Sequence, residues 1–118
     1  MTRSETPVNI QDDIKILQQQ AESDLSQGKY QAAIAKLQTI LEISPQFAQA
    51  HFKLSEALLA EQQFQAALSA ANRAIQLCPA VFIYHVGRGR VLAVLEQWDQ
   101  VIDTFQRAIQ LNPEFSWS

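Results

Sequence analysis

The segment at 64–79, FQAALSAANRAIQLCP, decides the fold because the chain repeats its pattern twice more. The earlier copy is YQAAIAKLQTILEISP at 30–45, and the later copy is WDQVIDTFQRAIQLNP at 98–113. An aromatic residue opens each segment and a proline closes it, so both residues recur with a spacing of 34. A fixed period of this length indicates stacked supersecondary units. Such a chain offers a repeated binding surface and little room for a unique catalytic pocket.

Apolar residues within each segment follow helical spacing. In the middle copy they fall at i, i+3, i+4, i+7, i+10 and i+11, which places them on one broad face of a helix. The set is Phe64, Ala67, Leu68, Ala71, Ala74 and Ile75. Each of these helices is expected to stop before its proline, because the residue preceding proline disfavours helical geometry.

A helical pattern also precedes each segment. It begins at Ile10 in the first unit and is broken by Gly28, which permits a left-handed turn. The sequence therefore predicts six helices in three antiparallel pairs. Residues 1–9 are polar and contain Pro7, so we expect a flexible lead-in there.

Composition limits the classes of function. The 118 residues are 47% hydrophobic and 18% charged, with a net charge of -3 and seventeen glutamines. No basic patch emerges, which argues against binding nucleic acid through its phosphates. No stretch approaches the roughly 18 apolar residues of a membrane helix. The single Cys78 cannot form an internal disulfide, so we expect a reducing compartment and a cytoplasmic location.

With these residues the chain resembles three tetratricopeptide repeats (TPRs), spanning about 14–47, 48–81 and 82–115. The resemblance implies an all-α solenoid of helix-turn-helix repeats, with a TPR domain at 10–115 and a right-handed superhelical stack. It also implies a small residue on the core face of each second helix, as at Ala33 and Ala67, with Val101 slightly oversized. The tail after Pro113 resembles the opening of another repeat, so residues 116–118 are expected to begin one or to mark a truncated end.

The chain departs from the family pattern at four positions. Gln62 and Glu96 stand where the first inter-helix turn has Gly28, at an expected cost below ~1 kcal/mol each. Gln20 and Asp24 occupy places where leucine or tyrosine is usual in the family. A polar edge of this kind suits the outer face of a terminal repeat.

Three features that could carry chemistry have structural interpretations. His51 and His85 are 34 residues apart, and equivalent points on packed helices lie about 8–10 Å apart, too far to share a zinc ion. Cys78 precedes a proline at a helix end, where we expect a structural thiol. The RGR motif at 88–90 resembles a family variant whose glycine lets two helices approach closely, in preference to an RNA-binding element. We therefore predict no catalytic residue, no metal and no cofactor.

The resemblance assigns partner binding to the concave face, which the first helix of each pair would line. The predicted groove residues are Gln18, Glu22, Gln49, Phe52, Glu56, Leu59, Ile83, Val86, Arg90 and Val94. Relatives that grip a C-terminal carboxylate use a clamp of lysine, arginine and asparagine, which Gln18, Glu22 and Ile83 do not match. The expected ligand is a protein or peptide that is basic near Glu22 and Glu56 and acidic near Arg90.

Two alternatives stay open. The last helix and the tail could form a self-association edge, predicted to contain Phe105, Ile109, Phe115 and Trp117. Arrays resembling this one also precede catalytic domains, so the segment could be the accessory TPR region of a larger enzyme such as a glycosyltransferase. Neither alternative involves nucleic acid or a membrane as partner.

Overall fold

A computed structural model describes residues 10–114, which contain six α-helices and a short 3₁₀ segment at Pro113 and Glu114. The predicted lead-in at 1–9, the tail at 116–118 and the predicted edge residues Phe115 and Trp117 lie outside the described residues. The helices are α1 Ile10–Ser26, α2 Tyr30–Ile43, α3 Ala48–Ala60, α4 Phe64–Leu77, α5 Phe82–Val94 and α6 Trp98–Leu111. The prediction of six helices in three pairs is confirmed.

The helices stack in chain order, each against the next, and give an elongated body of 58 × 26 × 23 Å. This arrangement is an α-solenoid, in which each hairpin buries its apolar faces against its neighbours. None of the described helices combines the length and the apolar character that crossing a bilayer requires. The three repeat boundaries given above remain predictions.

The same turn closes each hairpin. Gly28, Gln62 and Glu96 have φ angles of 75°, 63° and 59°, which is the left-handed region. The amide that follows each of them donates to the carbonyl five residues earlier, at 2.7, 2.9 and 3.0 Å respectively. This 6→1 bond is the Schellman closure of a helix. The left-handed turn predicted at Gly28 is confirmed, and two non-glycine residues adopt it as well.

The ends of the second helices are also equivalent. Ser44, Cys78 and Asn112 each donate a backbone N–H to the carbonyl four residues earlier, and a proline follows each of them. Each helix therefore ends where the preceding-proline argument predicts.

Small residues form the centre of the stack. Ala33, Ala67, Ala74 and Ala108 are completely buried, so neighbouring helices approach closely there. Three apolar clusters fill the interior along the chain, the first around Leu37 and Ile40, the second around Ile34 and Val91, and the third around Phe52 and Tyr84. Burial of each fully covered branched side chain contributes about 1.5–3 kcal/mol before entropic costs.

The last hairpin lacks a neighbour on its outer side within the described residues. Trp98 and Ile102 are each 56% exposed, although their counterparts Phe64 and Leu68 are half-buried. The Trp98 segment therefore repeats the apolar pattern of its two relatives but leaves these two side chains exposed. The reason is geometric, because α3 covers α2 and α5 covers α4, but no described helix packs on that side of α6.

Candidate functional site

The first helices of the three hairpins line one open cavity. It has a volume of about 600 Å³ and includes residues of α1, α3 and α5, together with the start of α2. Its lining comprises Glu22, Leu25, Ser26, Tyr30, Lys53, Glu56, Leu59, Ala60 and Arg90. We call this surface the first-helix groove. Leu25, Tyr30 and Leu59 give it an apolar part, and four charged side chains surround that part.

The charges in the first-helix groove are only partly neutralised. Lys53 Nζ lies 3.8 Å from Glu56 Oε1 and 6.0 Å from the centre of the Phe52 ring. Glu22 and Arg90, both exposed, form no ion pair with any residue of the described range. The guanidinium of Arg90 has five N–H donors and no acceptor, so it can bind carboxylate or carbonyl oxygens. The groove thus presents one unpaired anion and one unpaired cation on different helices.

The structure brings four of the ten predicted groove residues together in this cavity: Glu22, Glu56, Leu59 and Arg90. Gln18 and Gln49 lie outside the cavity lining and hydrogen-bond to each other across α1 and α3 at 3.1 Å. Three further predicted residues on α5, none of them in the lining, are exposed or half-buried, namely Ile83, Val86 and Val94.

Phe52 departs from the expectation of a groove contact. Its side chain is only 7% exposed, and its ring centre lies 5.0 Å from that of Tyr84. A β-carbon added at Gly87 would lie 2.7 Å from its Cε1, so the ring occupies the space that glycine leaves on α5. Phe52 is therefore an interior residue between α3 and α5, and it is not available to a ligand in this structure.

Five lining residues lie outside the predicted groove set, namely Leu25, Ser26, Tyr30, Lys53 and Ala60. Of these, Ser26, Tyr30 and Ala60 lie at helix ends, on either side of the hairpin turns. The groove was predicted from positions in the middle of each first helix, and those positions do not indicate which residues near a turn also line it. The left-handed turn at Gly28 directs the chain so that Tyr30 opens α2 beside the cavity.

The predicted self-association edge is composed differently from the expectation. Phe105 is half-buried and packs over Gly89, where an added β-carbon would lie 2.6 Å from its Cε2. It is therefore an internal contact between α5 and α6 and contributes less to the outer face than predicted. Ile109 is 38% exposed and does face outward, together with Trp98 and Ile102.

The two histidines make the same contact in consecutive repeats. Nε2 of His51 donates to the Pro45 carbonyl, and Nε2 of His85 donates to the Pro79 carbonyl, each at 2.8 Å. Each bond links the first turns of a first helix to the loop that precedes it. Within residues 10–114 no three His, Cys, Asp or Glu side chains come together as a metal site. Cys78 is exposed as a free thiol.

One side chain beside the Phe52 cluster has a perturbed ionisation. Burial, with a smaller contribution from nearby Cys78, raises the pKa of the Tyr84 phenol above its ordinary value of 10.0. Both causes disfavour the phenolate form. Tyr84 is therefore a neutral, buried aromatic at physiological pH.

Comparison with solved structures finds the same fold elsewhere. A Thermobaculum terrenum O-GlcNAc transferase superposes with a TM-score of 0.87 and 24% identity, over 93% of this chain and 21% of that chain. The first TPR domain of Spaghetti (RPAP3), bound to an HSP90 peptide, superposes with a TM-score of 0.84 and 22% identity, over 90% of this chain and 83% of that chain. MamA superposes with a TM-score of 0.84 and 24% identity, over 86% of this chain and 60% of that chain. This chain thus spans about a fifth of the transferase and less than two thirds of MamA.

These identities are below 25%, so the structural likeness shows the fold alone. No curated protein matches the sequence. The family assignment comes from the sequence itself, since residues 19–82, more than half of the chain, match the family profile described as tetratricopeptide repeat. With its three stacked helical hairpins and this match, the chain belongs to the tetratricopeptide repeat family.

Proposed function

We propose that this chain is a non-catalytic protein-interaction module that binds a peptide or a partner helix in the first-helix groove. The observation that carries the proposal is the pair of unpaired charges, Glu22 and Arg90, beside an apolar area formed by Leu25, Tyr30 and Leu59. Apolar anchors supply most of the binding energy in such interfaces. Charges contribute mainly to orientation and to the rate of encounter.

The charges define the ligand that fits best. A basic side chain of the ligand would lie near Glu22, and an acidic side chain or terminal carboxylate would lie near Arg90. Glu56 is already engaged by Lys53, so it offers less to a ligand than Glu22 does. Two structural neighbours have a bound partner: Spaghetti binds an HSP90 peptide, and the TPR2B domain of yeast Sti1 is in complex with pHsp70. Those ligands belong to those proteins, and the clamp that would favour such tails is not present among Gln18, Glu22 and Ile83.

Selection from a displayed random peptide library tests the proposal. We expect enriched peptides to combine one or two bulky apolar residues with a basic residue on one side and an acidic residue on the other. The variant Arg90→Glu should fail to retain these peptides, whereas Arg107→Glu should retain them. Arg107 is a matched control because it is exposed on α6, outside the first-helix groove. The proposal would be contradicted if no peptide were enriched, or if both variants retained the enriched peptides as well as the wild type does.

A second candidate function is self-association through α6. Trp98, Ile102 and Ile109 form an exposed apolar face, and such faces commonly mark interfaces. The outer side of α1 is a poor match for this face, since Asp24, which pairs with Lys36, stands where α3 has Leu58. A two-fold contact between the α6 helices of two copies therefore fits better than a head-to-tail stack.

Sedimentation over a range of concentrations tests this second candidate. We expect a dimer that Ile102→Glu abolishes, while Ile16→Glu, at an exposed position on α1, leaves it intact. A monomer at every concentration would rule out self-association.

A third candidate is an accessory region of a larger enzyme. The observation that favours it is the transferase neighbour, in which the part matched by this chain is 21% of the length. A coding sequence that continues after Ser118 into a catalytic domain would support it. A stop codon directly after Ser118, with no catalytic domain encoded upstream, would reject it.

A further inference from the structure

The second helices of the stack leave two equivalent grooves, and the two differ in content. One lies between α2 and α4 across α3, and we call it the α2–α4 groove. The other is the equivalent surface one repeat later, between α4 and α6 across α5, where Arg88 bonds Asn72 of α4 and Thr104 of α6, and we call it the α4–α6 groove. The α2–α4 groove encloses about 510 Å³, within the usual range for ligand sites.

A side chain of the protein itself crosses the α4–α6 groove. Arg88 donates from Nε to Asn72 Oδ1 on α4 at 2.5 Å, and from one guanidinium nitrogen to Thr104 Oγ1 on α6 at 2.6 Å. Its other terminal nitrogen lies 3.4 Å from Gln100 Oε1. Arg88 thus ties α4 to α6 and fills the space above α5 from within.

The α2–α4 groove lacks the arginine of that bridge and both of its acceptors on the later helix, and keeps only an amide, Gln38, at the position of Asn72. The position one repeat before Arg88 is Leu54, and the positions before Thr104 and Gln100 are Ala70 and Ala66. Leu54 is half-buried and cannot donate a hydrogen bond, and Ala66 is exposed. The base of the groove is therefore apolar, and its α4 side is formed by small alanine side chains. Nothing within the described residues fills it as Arg88 fills its counterpart.

The only charge that lines the α2–α4 groove is positive. Arg73 is the only charged residue of its lining, and its guanidinium bonds only Gln76 of the same helix, at 3.3 Å. His51 also lies in the lining, and its Nε2 is already bonded to the Pro45 carbonyl. No carboxylate lines this groove, although the chain as a whole has a net charge of -3.

The α2–α4 groove is separate from the first-helix groove. At about 100° per residue along a helix, His51, Leu54 and Leu58 point to one side of α3. Lys53 and Glu56, which line the first-helix groove, point to the opposite side. A ligand in one groove therefore leaves the other accessible.

We propose that the α2–α4 groove is a second docking site, and that its occupant is an acidic amphipathic helix of a partner protein. A bulky apolar side chain of that helix lies on Leu54, between Leu41 and Ala70. The small side chains of Ala66 and Ala70, one turn apart on α4, let the backbone of the partner helix approach closely. A glutamate or aspartate of the same helix pairs with Arg73, taking the acceptor role that no residue of the groove provides. This inference does not depend on the function proposed for the first-helix groove.

Two synthetic helical peptides of about 16 residues serve as probes. Both carry leucines at i, i+4 and i+7, and the flanking positions are glutamate in one and lysine in the other. The protein is labelled at the leucine and isoleucine methyl groups and titrated with each peptide by NMR. The glutamate peptide should shift the methyl signals of Leu41, Leu54 and Leu58, while those of Leu25 and Leu59 stay in place. The lysine peptide should bind at least about tenfold more weakly, a difference of about 1.4 kcal/mol.

Two variants sharpen the test. Arg73→Glu should reverse the preference between the two peptides, and Arg107→Glu should leave it unchanged. Arg107 is the matched control because it occupies the same position one repeat later, with the same type of bond to Gln110, at 3.2 Å. The triple variant Leu54→Arg, Ala66→Gln and Ala70→Thr introduces the counterparts of Arg88, Gln100 and Thr104, with Gln38 at the position of Asn72. It should fold and weaken binding of the glutamate peptide at least about tenfold.

Four results would overturn the inference. The first is no methyl shift up to about 1 mM peptide. The second is a response at Leu25 and Leu59, which would locate binding in the first-helix groove, and the third is a response at Ile102 and Ile109, which would locate it on α6. The fourth is a preference between the peptides that Arg73→Glu does not change. Since separate methyl groups report on the two grooves, failure here leaves the proposed peptide-binding function untouched.

Discussion

The ring of Phe105 occupies the space that Gly89 leaves on the facing helix. A β-carbon at Gly89 would lie 2.6 Å from Cε2 of Phe105 and 2.7 Å from its Cζ. A similar relationship holds on the other side of α5, where a β-carbon at Gly87 would lie 2.7 Å from Cε1 of Phe52 on α3. In each case an aromatic ring on one helix determines that the facing position is glycine. These two contacts fix how closely α5 approaches its neighbours on both sides.

Gly89→Ala should therefore destabilise the protein, although alanine is the better helix former. Helix propensity favours alanine by about 1 kcal/mol, while overpacking costs about 1–3 kcal/mol. We therefore expect a net loss of up to about 2 kcal/mol in the free energy of unfolding, measured in urea. Phe105→Leu in the same chain should recover part of the loss, and the double-mutant cycle gives the coupling between the two positions. A more stable Gly89→Ala protein would show that α6 can move away without cost.

Glycine should be favourable at the two turns that lack it. Gln62 and Glu96 have φ angles of 63° and 59°, where a residue with a β-carbon is strained by about 1 kcal/mol. Gln62→Gly and Glu96→Gly should each raise the free energy of unfolding by about 0.5–1 kcal/mol. Gln63→Gly is the control, because φ there is -93° and glycine only adds disorder to the unfolded chain. Equal effects at 62 and 63 would contradict the strain argument.

Removing the Arg88 bridge should loosen the last hairpin. Thr104 is 3% exposed, so Arg88→Leu leaves its hydroxyl without the bond from the guanidinium. We expect a loss of about 1–3 kcal/mol, because hydrogen bonds to charged groups are worth more than neutral ones. Amide hydrogen exchange should accelerate in α6 more than in α2. As a control, Arg107→Leu removes an exposed arginine of α6 and should change the free energy of unfolding by less than about 0.5 kcal/mol.

Tyr84 gives the protein a defined response to alkaline pH. Its pKa is raised above 10.0, first by burial and then by Cys78, so the folded protein holds the phenol proton more tightly than the unfolded chain does. The contribution to stability is complete below pH 10 and is lost as pH rises through the folded-state pKa. In a Tyr30→Phe variant the single remaining tyrosine should ionise with a midpoint above 10.0 in an absorbance titration. A midpoint at or below 10.0 would contradict this assignment.

Cys78 separates the two causes of that shift. Cys78→Ser should lower the Tyr84 midpoint but leave it above 10.0, because burial is the larger cause. Tyr84→Phe should remove the loss of stability that sets in as pH rises above 10.0.

The repeat period predicted the helices, the hairpin pairing and the proline stops, since those depend on local geometry that recurs every 34 residues. It could not predict which way individual side chains turn between helices. Phe52 holds a family groove position, yet it turns inward because Gly87 leaves room for its ring. Trp98 carries the same pattern as Tyr30 and Phe64, and its exposure depends on the helix beside it.

The candidate site was predicted in part. Glu22, Glu56, Leu59 and Arg90 come together as the spacing of the first helices predicts. The contribution of Tyr30 follows from the path of a turn and could not be derived from the first helices alone. The contrast between Leu54 and Arg88 is visible in the sequence, but its meaning depends on the acceptors at Asn72 and Thr104, which only the folded chain brings to Arg88.

A charge exchange between Arg90 and the acidic residue of a selected peptide tests the central claim most directly. The account predicts that Arg90→Glu weakens binding of the acidic peptide at least about tenfold, or about 1.4 kcal/mol, in a calorimetric titration. A peptide with lysine at that acidic position should bind the Arg90→Glu protein more tightly than the wild type. If both proteins bind both peptides with the same affinity, the ligand does not contact Arg90, and the first-helix groove is not the binding site.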